Sequence, residues 1–165
     1  TAGTLAGAVM LLALIGAPLG GTVIDKWRKS QPKARLLFPA LSTLTSGVLL
    51  FLAFYVFSGT IQLVTLFLFG VLVMTFVSGA AAVTQDVIHP GLRATSYAIA
   101  VAVQNLLGSF TAPIVLGRIS DLTNIKTAMS ILPFSLLIGA LLFYLGSRHY
   151  LRDMDKVTKV HLEAV

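Results

Sequence analysis

Five uncharged stretches of at least 20 residues run through this chain: Gly3–Ile24, Leu36–Phe57, Ile61–Val83, Ala94–Leu116 and Thr127–Gly146. At ~1.5 Å per residue, about 20 helical residues span a hydrocarbon core of ~30 Å. A soluble domain of this size cannot use five helices apolar on every face, because most of its helices must offer water a polar side. The expected fold is an all-α membrane protein with five transmembrane helices over residues 1–146, followed by a tail over residues 147–165.

The charges fit that reading. Only 11% of residues are charged and mean hydropathy is +0.91, so the net charge of +6 does not build a groove for nucleic acid. The basic residues fall between the apolar stretches instead. Counted over alternate loops, ten lie on one side and two on the other. The positive-inside rule then places the Asp25 loop, the Asp86 loop and the C-terminus in the cytoplasm, with residue 1 outside. A chain that starts outside with Thr1 on an odd number of spans reads as the C-terminal part of something longer. Cysteine is absent, and no His has a partner at metal-ligand spacing, so neither a metal nor a cofactor is expected.

The spans differ in character. The second and fifth are heavy in Leu and Phe, as suits helices facing lipid, whereas the first and fourth are rich in Gly, Ala and Ser. Gly3/Gly7, Gly16/Gly20 and Ala98/Ala102 stand four apart, a spacing that lets two helix backbones approach closely. The first span ends on Ala17-Pro18 and Gly21-x-x-x-Asp25, and the fourth on Ala112-Pro113 and Gly117-x-x-x-Asp121. In both, Gly and Asp share one helical face. The copies leave the membrane on opposite sides, as an inverted repeat of a transporter requires.

The segment Gly21-Thr-Val-Ile-Asp25-Lys26-Trp-Arg28-Lys29 resembles the cytoplasmic loop motif of the major facilitator superfamily, with Arg28 in place of the motif's second glycine. Pro90-Gly-Leu-Arg93, then Asn105, Gly108, Pro113 and Gly117-x-x-x-Asp121, is similar to that superfamily's eleventh helix. The resemblance covers nearly the whole chain and implies helices eight to twelve of a twelve-helix transporter with inverted repeats. The loop before Arg93 is most similar to the spinster-type and organic-anion branches.

That resemblance implies a secondary transporter working by alternating access in the plasma or inner membrane. Its partners would be the lipid bilayer, the N-terminal half of the same protein and a small-molecule substrate. Gly21, Asp25, Lys26, Arg28, Lys29, Asp86 and Arg93 are then candidates for a cytoplasmic gating cluster, in which Asp25 caps a helix of the other half. Lys26, Arg28 and Lys29 would pair with Asp86. Gly16, Gly20, Gly117 and Asp121 are helix-packing candidates.

No charge lies within a span core, where it would cost ~2.5–3.5 kcal/mol. The polar residues there are Gln104 and Asn105 in the fourth span, Thr75 and Ser78 in the third, and Ser42, Thr43, Thr45 and Ser46 in the second. A mid-membrane amide bonds another helix, water or cargo, so Gln104 and Asn105 read either as interhelix glue or, with Thr75 and Ser78, as substrate contacts. The Ser/Thr cluster of the second span is expected to bond its own backbone. Two other classes remain open at this point: an intramembrane enzyme, whose Gly-x-Ser-Gly or paired Asp signatures this sequence lacks, and a non-catalytic membrane scaffold.

Overall fold

The computed structural model describes the backbone of residues 2–163 and the side chains of residues 7, 11 and 14–157. Packing around Gly3, Lys159 and His161 lies outside the described residues. The described residues are mostly helical and joined by short connections, an all-α membrane protein. Helix α1 covers Ala2–Arg28, α2 covers Ala34–Tyr55, and α3 and α4 cover Gly59–Val73 and Thr75–Asp86. A short turn at Pro90–Leu92 leads into α5 (Arg93–Gln104), a π-turn (Asn105–Phe110) and α6 (Thr111–Leu122). Helix α7 (Ile125–Met129) precedes the long α8 (Leu132–Glu163). Among the described residues, four helical stretches are long and apolar enough to cross a membrane: Ala34–Tyr55, Gly59–Asp86, Pro90–Leu122 and Ile125–Val157.

Local chemistry sets the breaks. Gly59 has φ +63°, which an L side chain resists, and the Gln62 amide donates to the Ala53 carbonyl at 2.9 Å across that turn. The third span bends at Met74, where the Thr75 hydroxyl donates back to the Leu72 carbonyl at 2.7 Å. Asn124 caps α7 by accepting from the Thr127 amide at 2.8 Å. Pro133 falls in the first turn of α8, where no backbone N–H is needed.

Helix α2 is the hub, packing against α8, α3 and α4 and more lightly against α1. This corrects the expectation that the second span faces lipid. One side of α2 carries Pro39, Ala40, Thr43, Ser46, Gly47 and Ala53, all buried. Its leucines Leu41 and Leu44 point outward instead. Small residues draw the backbones together, and the large ones are left for lipid. Helix α8 lies antiparallel on α2: Leu36 reaches Gly146, Thr43 reaches Gly139, and Gly47 sits against Leu136 and Leu137. Beyond them Phe51 meets Phe134 edge-on at 6.4 Å. As expected, Ser42, Thr43 and Thr45 donate to carbonyls of their own helix, at 3.2, 2.6 and 2.8 Å. Ser46 differs, its buried hydroxyl having no partner among the described residues.

Helix α1 locks onto the bend of the third span. A Cβ added at Gly16 would strike the Val71 carbonyl oxygen, and one at Gly20 would stand 2.8 Å from the Thr75 Cα. Gly79 of α4 fits as tightly against Pro39. The Arg35 carbonyl, which Pro39 leaves without its helical donor, lies 3.0 Å from where a Gly79 side chain would begin. The fourth span contrasts with all of this. It contacts the other helices chiefly through α5 on α4 and α6 on the short α7, and none of its side chains is buried.

Candidate functional site

Two places on this scaffold carry polar chemistry, and they lie on different elements. The first is at the basic end of the bundle. Arg35 opens α2, Asp86 closes α4, and Tyr150 lies on α8 one turn past the buried Ser147. The Arg35 Nη1 and the Tyr150 hydroxyl both donate to one carboxylate oxygen, Asp86 Oδ2, the tyrosine at 2.5 Å. Tyr150 is only 2% exposed, and the Arg35 and Asp86 side chains are 15% and 17% exposed. Three helices are therefore tied through one atom by charge-assisted bonds, which are short and about twice as strong as neutral ones. The clamp has little room for water, so loss of one member strands the others.

Here the structure departs from the expected cluster. Asp86 is taken by Arg35 and Tyr150, and not by Lys26, Arg28 or Lys29, which are exposed and form no ion pair among the described residues. The physical reason is reach. The Arg35 guanidinium, at the start of α2, reaches the end of α4, whereas the side chains of Lys26, Arg28 and Lys29 at the end of α1 stay exposed although α1 also packs against α4. Asp25 and Arg93 are likewise exposed and without an ion pair among the described residues. Sequence reasoning missed Arg35 and Tyr150 as members. A signal existed for the tyrosine, because Ala140, Phe143, Ser147 and Tyr150 continue one helical stripe past the end of the fifth apolar stretch.

The second place is the fourth span. Thr111 donates its hydroxyl to the Leu106 carbonyl five residues back at 2.6 Å, matching the π-register of Asn105–Phe110. Pro113 follows at once, with no N–H to give the carbonyl four residues before it. Such π-turns occur often at functional positions. The Asn105 amide donates to the Val101 carbonyl at 3.0 Å, within its own helix. Gln104 makes no hydrogen bond among the described residues and lines a groove of about 280 Å³ between α4 and α5, with Thr84 and Tyr97.

The four candidate cavity residues do not converge. Thr75 is buried against Gly20, and Ser78 donates to the Thr75 carbonyl at 3.1 Å while its Cβ faces Gly21. Both belong to the α1–α4 contact, whereas Gln104 and Asn105 stand on the open span. The packing candidates divide in the same way. Gly16 and Gly20 sit at near contact, and Gly21 would meet only the Ser78 Cβ at 3.8 Å. Gly117 has nothing within 4 Å of an added Cβ. Gly117 and Asp121 instead line an open groove of about 420 Å³ facing α7.

A family model for the Major Facilitator Superfamily matches residues 1–113. The chain belongs to the Major Facilitator Superfamily. Among curated relatives, it is 28% identical to Protein spinster homolog 1 of Mus musculus over 171 residues, 94% of this chain and 32% of the relative. It is 29% identical to Protein spinster homolog 1 of Homo sapiens over 151 residues, 86% of this chain and 28% of the relative. With the Sphingosine-1-phosphate transporter SPNS2 of Danio rerio, identity is 26% over 161 residues, 88% of this chain and 32% of that protein. The chain thus spans about a third of the length of the curated relatives it matches.

Proposed function

We propose that these helices form the C-terminal part of a secondary transporter that carries a small organic solute across the membrane by alternating access. The observation that carries this reading is the uneven attachment of the helices. Four spans pack together around α2, while the fourth span is attached chiefly through α5 on α4 and through α6 on the short α7 that follows it, and contains a π-turn. Its amide Gln104 faces an open groove. A helix held this loosely can line a cavity and shift against the rest, which a rigid core helix cannot do.

The solute we favour is amphipathic and lipid-like. One relative is named as a transporter of sphingosine-1-phosphate, and Leu106, Leu107 and Phe110 beside Gln104 offer apolar contact to a chain. In the proposed orientation the basic end is cytoplasmic. The clamp holds α2, α4 and α8 together there, and Asp25, Lys26, Arg28, Lys29 and Arg93 are left to pair with helices of the other half. Exposed pairs contribute only ~0–1 kcal/mol each, so several would have to act together as a latch.

The test is uptake into proteoliposomes of a labelled single-chain phospholipid against a labelled sugar. Gln104→Leu is expected to reduce lipid uptake at least tenfold with expression and melting temperature unchanged. Uptake equal to wild type would overturn the assignment of the fourth span to the cavity.

A further inference from the structure

On the outer side of α2 and α8 the large side chains do not close on one another. Leu41, Leu44, Leu137 and Leu141 wall an apolar groove of about 590 Å³, to which Trp27 and Tyr144 contribute at its basic end. No residue of the fourth span lines it. From Leu137 to Tyr144 the groove runs about 10 Å along α8, most of one leaflet of a ~30 Å core. Its two ends are unlike. At the basic end the Arg148 guanidinium lies over the Tyr144 ring, 5.3 Å from its centroid, which holds the cation beside the groove mouth. Beyond the other end, the Ser58–Thr60 loop carries no charge.

We propose that this groove is a binding site for one anionic glycerophospholipid of the surrounding leaflet. An acyl chain lies along the leucines, and the phosphate is held by Arg148 at the level where Trp27 and Tyr144 meet the headgroups. Charge complementarity selects this occupant. A basic side chain at the surface favours anionic over zwitterionic lipid, and an apolar furrow of one leaflet's depth fits an acyl chain. A second copy of the chain fits less well. A two-fold contact over this face would bring the two Arg148 side chains toward each other. The site is separate from the transport cavity proposed above and does not depend on it.

Native mass spectrometry of the detergent-purified protein, with phosphatidylglycerol or phosphatidylcholine added at equal concentration, tests the assignment. Wild type is expected to retain phosphatidylglycerol in preference. Arg148→Gln should lower that preference about fivefold, the effect of one basic side chain near an anionic surface, and Arg148→Lys should keep it. Leu141→Trp, at an exposed groove position, should lower retention of both lipids, whereas Ile138→Trp, outside the groove on the same helix, should not. An unchanged preference in Arg148→Gln, equal retention of the two lipids by wild type, or a lipid-free dimeric mass would each overturn the proposal.

Discussion

The first and fourth spans share a sequence pattern and have opposite structural fates. Each carries Ala-Pro followed by Gly-x-x-x-Asp, and each is rich in small residues. In α1 Gly16 and Gly20 are pressed onto the third span at its bend, although Gly7, nearer its start, has nothing within 4 Å of an added Cβ. The helix runs through Pro18 without a break. In the fourth span the helix loses its register before Pro113, and neither Gly108 nor Gly117 has a neighbour within 4 Å of an added Cβ. A small-residue stripe therefore licenses close approach without specifying what approaches. The partner decides, and for the fourth span the described helices supply chiefly α4 and the short α7.

The largest effect that can break this contrast comes from filling the glycines. Gly20→Leu drives a side chain into the Thr75 backbone and should cost ~3 kcal/mol or more. In a detergent thermal-shift assay it should melt several degrees below wild type, with Gly117→Leu close to wild type. Equal losses would mean that Gly117 meets a neighbour in the assembled protein.

A second comparison uses the two aspartates that end a span. Asp86→Ala removes the shared acceptor of Arg35 and Tyr150 and should lower stability by ~2 kcal/mol, since both partly buried donors are stranded. Asp121→Ala, on an open groove, should change stability by less than ~0.5 kcal/mol. A larger loss at Asp121 would reverse the ranking of the two regions.

The smallest effect sharpens the account of the π-turn. Thr111→Val removes the hydroxyl bond to Leu106 at a cost of ~1 kcal/mol. Amide exchange across Asn105–Phe110 should then change while α5 stays as protected as before. If exchange in this segment is unaltered, Pro113 alone sets the turn.

Much of the fold was legible because apolar length is a one-dimensional property. The all-α membrane fold and the superfamily could be read from the sequence, and the backbone bonds of Ser42, Thr43 and Thr45 followed from the habits of Ser and Thr. The ends of the elements were less legible. The third span bends at Met74, and α8 continues from Leu132 to Glu163, well past Gly146. Of the clamp, Asp86 was singled out but its partners Arg35 and Tyr150 were not. Arg35 and Asp86 are 51 residues apart, and Asp86 and Tyr150 are 64 apart. Their meeting depends on the axial register of three packed helices, which composition does not encode. The role of α2 was misread for a related reason. Its leucines dominate the sequence, but its small residues choose the neighbours.

Helix α8 also has a mechanical consequence. Its 32 residues make a rod of ~48 Å, roughly half as long again as the hydrocarbon core it crosses. Because the rod is continuous, its outer portion works as a lever whose fulcrum is the tyrosine tie at the membrane surface. About 27 Å of helix lies on the Leu132 side of that fulcrum and about 20 Å on the Glu163 side, so a tilt of α8 against α2 inside the bilayer reappears beyond it, opposite in direction and about three-quarters as large. A soluble domain joined in helical register beyond Glu163 would lengthen the outer arm and swing with the transmembrane helix, carrying the tilt to a displacement that a distance probe in water can follow.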